Sequence, residues 1–217
     1  MTSVEDAAAM FSARDLAARA RARLTLNLDH DLFTRPSPTR RGDYHLNAWP
    51  DPPPPPGKPA AVLVPVVARE QGATVLLTQR RADLRNHAGQ IAFPGGRIDP
   101  EDRDPVAAAL REAHEEIALP SSVITPLGYL DPYQTGTGYR VVPVVALVTP
   151  PFELSLCEAE VEDAFETPLD FLMDPRNHKV ITRKTDGRRF YAMQYGERYI
   201  WGATAGMLRN LYERLYL

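Results

Sequence analysis

Residues 104–118 constrain this chain more than any other stretch of its 217 residues. Asp104-Pro105 is a helix start. Asp serves as the N-cap, and Pro takes the first helical position, where its missing N–H has no partner to lose. At about 100° per residue, Val106, Leu110, Ala113 and Ile117 fall on one face of the helix that follows. Glu112, Glu115 and Glu116 fall on the opposite side, with Glu112 and Glu116 stacked one turn apart. The apolar face requires a core to pack on. The acidic face sets like charges at a spacing that costs roughly 0.2–0.5 kcal/mol per pair. A solvated surface tolerates that cost, so three Glu on a helix suit a wet face as well as a cation site.

The segment ahead of the helix favours the cation. Phe93-Pro94-Gly95-Gly96 is a tight turn, and glycine lets a backbone carbonyl or amide approach a ligand closely. Carboxylates with a backbone carbonyl are hard oxygen donors, the set that suits Mg²⁺ or Mn²⁺. The one cysteine, Cys157, allows neither an intramolecular disulfide nor a cysteine zinc site. It follows an apolar stretch and is read as structural. This usage fits a reducing compartment, and a cytoplasmic location is the expectation.

Around this helix the chain reads as a mixture of strands and helices without a regular βαβ alternation, the mark of an α+β fold. Residues 4–24 read as a helix capped by Ser3, with Asp6 three residues on. Residues 34–59 are rich in proline, and Pro52 to Pro56 form a polyproline II spacer. The expected division is an N-terminal arm and linker over 1–59 and a catalytic domain over 60–217. An arm on such a spacer would suit a homodimer. Ala61–Val67 and Thr74–Thr78 form a hairpin across Glu70-Gln71-Gly72. Residues 79–103 read mostly as loop. Leu127–Leu130 and Arg140–Val148 are strands, the second demoted to an edge or a bulge by Pro143. Asp131–Tyr139 reads as a mobile substrate loop, with Tyr133 or Tyr139 placed to stack on a base. Helices are expected near Glu158–Phe165 and Pro168–Met173, strands at Lys179–Thr182 and Arg189–Gln194, and a closing amphipathic helix over Ala203–Leu215. Tyr199-Ile200-Trp201-Gly202 is expected to pack core.

The composition narrows the partners. A net charge of −3 and 24% charged residues do not describe a nucleic-acid surface, which is usually strongly basic. No run of 18 apolar residues is present, so no membrane-spanning helix is expected. The N-terminus is rich in Ala and Arg, but Glu5, Asp6 and Asp15 argue against a transit peptide.

The Gly95-Gly96 turn followed by Arg111-Glu112-Ala113-His114-Glu115-Glu116-Ile117 resembles the Nudix box, a glycine and an acid ahead of Arg-Glu-apolar-any-Glu-Glu. The general resemblance covers about residues 60–173. Three details depart from the box. Asp102 stands where Glu is usual, one extra residue lies in the loop before Asp104, and Ala118 replaces a glycine near the helix end. The last is costly if the backbone there is left-handed. The resemblance implies an α/β/α sandwich with a mixed sheet, here carrying an N-terminal helical arm. It also implies metal held by Glu112 and Glu116, with the Gly96 carbonyl and Glu115 beside them, and Arg111 orienting the glutamates. The general base is then Glu115 or Glu160, with Glu162 and Glu166 as weaker alternatives.

A second pattern is more specific. Leu76-Leu77-Thr78-Gln79-Arg80, then Arg85, Gly89 and Phe93-Pro94-Gly95-Gly96, resembles the signature of the coenzyme A pyrophosphatase branch of that family. Arg81 stands where Ser or Ala is usual. The resemblance implies a small-molecule diphosphate substrate of coenzyme A type, split by water into 4′-phosphopantetheine and adenosine 3′,5′-bisphosphate. Arg80, Arg85, His87 and Arg97 become the candidate phosphate contacts, since Arg suits bidentate phosphate binding; Arg81 ranks lowest. Two other readings stand beside this one. The first is a Nudix hydrolase of ADP-ribose, NADH or a dinucleoside polyphosphate. The second is a Nudix-fold binding module without catalysis, which would have no need of the intact Arg111, Glu112, Glu115 and Glu116.

Overall fold

The computed structural model describes residues 10–29, 31–34, 41–48, 55–83 and 89–217. The expected Ser3 cap, most of the proline run, Arg85 and His87 lie outside the described residues. The first described helix, α1 (Ala13–Arg23), starts at Ser12, whose hydroxyl accepts from the Asp15 N–H at 3.2 Å. Ser12 is extended, so one unbroken helix over 4–24 is corrected.

The chain then forms β1 (Lys58–Val67), β2 (Thr74–Arg80), β3 (Ile91–Ala92), β4 (Gly95–Arg97) and α2 (Pro105–Ile117). After these come β5 (Ile124–Tyr129), β6 (Tyr133–Gln134), β7 (Tyr139–Val148) and β8 (Val161–Pro168). The last elements are α3 (Leu169–Met173), β9 (Lys179–Thr182), β10 (Arg189–Tyr195), β11 (Arg198–Trp201) and α4 (Ala203–Leu215). The main sheet runs β3-β2-β1-β7-β5, with β4 on β1, β6 on β7 and β8 on β2. Among the described strands only β1 and β7 pair in parallel, so the sheet is mixed. β9, β10 and β11 form a separate three-stranded antiparallel sheet.

Strand alternation decides the layers. On β1, Ala60, Val64 and Val66 enter one apolar cluster, with Leu16 and Ala20 of α1 and Leu208 and Leu211 of α4. Ala61, Leu63 and Val67 enter the other, with Ala109, Ala113 and Ile117 of α2. β7 divides the same way, Val141 and Val145 against Val142, Val144 and Ala146. The result is the expected sandwich, each buried Val or Leu contributing about 1.5–3 kcal/mol. Among the described residues no helix is long and apolar enough to cross a membrane.

Four expectations change. β7 is interior, flanked by β1 and β5, despite Pro143. The Pro143 carbonyl accepts from the Leu130 N–H at 3.0 Å, on the side where β5 gives way to β6. The missing donor therefore falls at a gap in the ladder. Glu158–Phe165 is not a helix: residues 161–168 are β8, paired with β2 with one register shift between Gln79 and Arg80, and the edge of β2 overrides local preference. Residues 79–103 contain β3 and β4. Asp131–Tyr139 is a pinned hairpin, with the Thr135 N–H on the Tyr139 carbonyl at 2.8 Å and the Gly136 N–H on Asp43 at 2.7 Å.

α2 ends at Ala118 in the left-handed conformation, φ 53° and ψ 27°. A side chain there pays the steric penalty that glycine avoids. Ala118→Gly should therefore stabilise the fold by about 0.5–1 kcal/mol, the relief exceeding the entropy glycine adds to the unfolded chain. That corresponds to roughly 1–4 °C in a thermal melt. A lowered melting temperature would contradict the αL assignment.

Candidate active site

The site is built where α2 crosses β1 and β4. β4 pairs with β1 through Gly95 opposite Val62 and Gly96 opposite Ala61. A Cβ on Gly95 would meet the Ala61 carbonyl at 2.4 Å, and one on Gly96 would meet the Glu112 carboxylate at 2.5 Å. Gly95 is required for β4 to lie against β1, and Gly96 leaves the Glu112 carboxylate its present place.

Arg111 organises the acidic face. Its Nε and one Nη reach the two Asp102 oxygens at 3.2 and 2.9 Å. The other Nη donates to Glu112 at 2.9 Å and Glu115 at 3.0 Å, while the Nη on Asp102 also donates to the Arg97 carbonyl at 3.1 Å. The fork holds Asp102 below the usual carboxylate range, chiefly through that hydrogen bond, and raises Arg111. Asp102 also accepts from the Asp99 N–H at 2.9 Å. The acid flagged by its spacing from Gly96 is therefore the anchor of Arg111, a role the sequence reading did not assign.

Glu116 is buried, and its Oε2 has no hydrogen-bond partner among the described residues. Arg80, delivered by the end of β2, brings Nη1 to 3.7 Å from Glu116 Oε1, while its own buried Nε lacks a partner among the described residues. Burial first, then the charges of Glu112 and Glu160, push the Glu116 carboxyl up to about 8 against the pull of Arg80. Glu112 is raised too, mainly by burial, with Arg111 opposing. A buried, half-orphaned carboxylate beside a second one and a glycine cradle is a donor set that could hold a divalent cation. Among the described residues no three Asp, Glu, His or Cys side chains converge as a ready-made cluster. Glu115 is exposed and turned to Arg111.

Glu160 is exposed at the turn entering β8, close enough for its charge to bear on Glu112 and Glu116. Glu166, at the far end of β8, is tied to Arg69 and Thr74 and is withdrawn from the site. Glu162 is exposed on the same strand. Arg81 is engaged in a fork with Asp83, both contacts at 2.8 Å, and with the Glu158 carbonyl, in keeping with its low rank. Cys157 is a free thiol whose N–H donates to the Glu116 carbonyl at 2.8 Å, tying the chain after β7 to the end of α2.

A cavity of about 850 Å³ opens from Gly96, Glu116, Arg80 and Arg97 toward the β9–β11 sheet. Its size is within the range of small-molecule sites. Both tyrosines line it, Tyr139 half-buried and Tyr133 buried against Gly206 with its hydroxyl on Asp43 at 2.8 Å. Lys58, Arg188 and Arg189 also line it, and nothing in the sequence pattern flagged them.

The NUDIX domain pattern matches residues 57–185. An Escherichia coli protein described as an uncharacterized Nudix hydrolase, NudL, is 47% identical over 154 residues, covering 70% of this chain and 80% of the relative. A crystal structure of a Nudix hydrolase from M. smegmatis, RenU, matches with 26% identity and a TM-score of 0.46, covering 54% of this chain and 74% of that one.

The raised Glu116 carboxyl has a signed consequence for the chelator-treated protein. Its folded value, about 8, lies above the ordinary 4.5, so the folded state holds a proton that the unfolded state releases in between. Its contribution to stability falls as pH rises through that window, by up to about 1.4 kcal/mol per unit. Glu116→Gln should melt higher than the parent at pH 9 and converge with it near pH 5. Parallel melting curves across pH 5–9 would show that Glu116 ionises normally.

Proposed function

The chain belongs to the Nudix family and is a hydrolase of nucleoside diphosphate derivatives; from that premise we propose that it cleaves the diphosphate of coenzyme A or its derivatives. The observation that supports this substrate is where Arg80 stands. The segment Leu76–Arg80, which carries the branch resemblance, is β2. Its last residue places a guanidinium beside Glu116 and in the wall of the same cavity. We assign catalysis to residues 60–217 and treat 1–59 as an arm whose helix packs on α4 through Leu16, Ala17 and Ala20 and whose last part lends Asp43 and Lys58 to the cavity.

Nudix hydrolases use divalent metal ions, and Mg²⁺ or Mn²⁺ fits the oxygen donors here. Glu112, Glu116 and the Gly96 carbonyl would hold the metal, with Glu115 beside them. When bound, the metal supplies charge neutralisation on the diphosphate and a more acidic water. The protein residues do the rest. Arg111 keeps the glutamates from splaying apart under mutual repulsion. Arg80 meets diphosphate oxygens as a planar fork, helped by Arg97, and by Arg85 and His87 from the neighbouring segment. Glu160, exposed and near both metal-side carboxylates, takes the proton from the attacking water; Glu115 is the other candidate, although Arg111 restrains it. Water adds its oxygen to one phosphorus, the bridging oxygen leaves with the other, and the products are 4′-phosphopantetheine and adenosine 3′,5′-bisphosphate.

The test is chromatography of products after incubation with coenzyme A and Mg²⁺ or Mn²⁺. The parent should release adenosine 3′,5′-bisphosphate. Glu116→Gln should lose roughly a hundredfold or more in kcat/KM. Gly96→Ala, whose methyl displaces the Glu112 carboxylate, should fold and lose a comparable amount. Cleavage of ADP-ribose or NADH with coenzyme A untouched would refute the coenzyme A assignment while keeping the family chemistry. Metal-dependent thermal stabilisation without turnover of any diphosphate would refute catalysis.

A further inference from the structure

The cavity has a second charged end, remote in sequence from the Nudix box. Lys58, Ala60 and Val62 alternate along β1 and all line it, as do Tyr139 and Val141 on the adjacent β7. This floor runs from Gly96 beside Glu112 out to Lys58 at the start of β1. Facing it, the β9–β10 turn and the start of β10 put Arg183, Arg188 and Arg189 on the same cavity.

These cations are unequally engaged. Arg183 forms a fork with Asp186 at 2.8 and 2.6 Å. Arg188 stands 3.9 Å from the same carboxylate and over the Tyr44 ring, 5.7 Å from its centroid. The Arg189 backbone is clamped, its N–H donating to Asn47 at 2.8 Å and its carbonyl accepting from Asn47 at 2.9 Å. Its guanidinium has no hydrogen bond or ion pair among the described residues, and neither has the Lys58 ammonium. Asp43, the other carboxylate at this end, is committed to the Tyr133 hydroxyl and the Gly136 N–H. Arg41 lines this end too but is paired with Glu213, so among the described residues Lys58 and Arg189 are the cations left without a carboxylate. Tyr139, Phe190, Tyr191 and Trp201 also line it, flat apolar surfaces suited to a purine.

A diphosphate bound between Arg80 and a metal on the α2 glutamates would leave the exposed cations of this end unmatched, and a second anion would fit them. We propose that Arg188, Arg189 and Lys58 form a second anion site that binds a phosphate monoester on the ribose of the nucleoside half. The enzyme then prefers nucleoside diphosphate derivatives carrying that extra phosphate over those that lack it. The inference rests on the nucleotide-diphosphate reading above and deepens it. The extra group brings close to two negative charges at neutral pH, and arginine forks meet it with charge-assisted hydrogen bonds.

The decisive experiment is calorimetric titration of the full chain with Mg²⁺, using adenosine 3′,5′-bisphosphate and adenosine 5′-monophosphate as probes. The parent should bind the bisphosphate about tenfold more tightly or better. Arg188→Ala/Arg189→Ala keeps the backbone clamp on Asn47 and should bring the two affinities within about twofold. Lys184→Ala, a charge loss on the same turn at a residue that does not line the cavity, should retain the preference. In turnover, the kcat/KM ratio of coenzyme A to 3′-dephospho-coenzyme A should fall in the double variant by the same factor. Equal affinities in the parent, or a preference that survives the double substitution, overturns the proposal. If the parent cleaves ADP-ribose but neither coenzyme, the coenzyme A reading fails. The titration then decides the second site alone, by the same two criteria.

Discussion

Arg111 lies between acids that would otherwise repel one another: a bidentate contact on Asp102, single contacts on Glu112 and Glu115, and the carbonyl of Arg97. The rest of the site depends on that arrangement. Stacked glutamates on a helix are mildly unfavourable in water, and more so where the helix is half-buried against a sheet. A guanidinium offers five donors in one plane and stays charged at any working pH, so it can offset several carboxylates at once. Because Asp102 belongs to the loop before α2 and Arg97 to β4, the same side chain also fixes the helix against the glycine turn. Structure and chemistry share one anchor.

Glu116 is the exception to this neutralisation. It is buried, and among the described residues it has an orphaned oxygen and its nearest cation, Arg80, is 3.7 Å away. A protein carries such a group at a cost, since a buried carboxylate without full compensation opposes folding. The cost is reduced when a metal or a proton takes the place of the missing partner. The upward push on its protonation is the thermodynamic expression of the same deficit.

The helix, its cap, its acidic face and the glycine turn were legible in the sequence because each is a local matter: an Asp-Pro start, a 3.6-residue period, glycines where no side chain fits. Runs rich in β-branched and aromatic residues likewise made β1, β2, β9 and β10 readable. β8 was not readable. Its Glu- and Asp-rich segment has helical character, and only the open edge of β2 makes it a strand. Pro143 misled in the opposite direction, since its missing donor is harmless solely because β5 and β6 part at that point. β11 was seen only as apolar packing, having no alternation long enough to announce a strand.

By itself, the sequence determined the chemistry: which helix presents the glutamates, which turn lies beside them, and which family the pattern resembles. These follow from contacts within about twenty residues. What only the tertiary structure decided is the company those residues keep. Asp102 on Arg111, Arg80 beside Glu116, and Arg188 and Arg189 across a cavity from Gly96 are set by how β1, β2, α2 and β10 pack. Sheet pairing joins residues far apart in the chain through backbone hydrogen bonds that carry no residue code, so no local pattern could announce them.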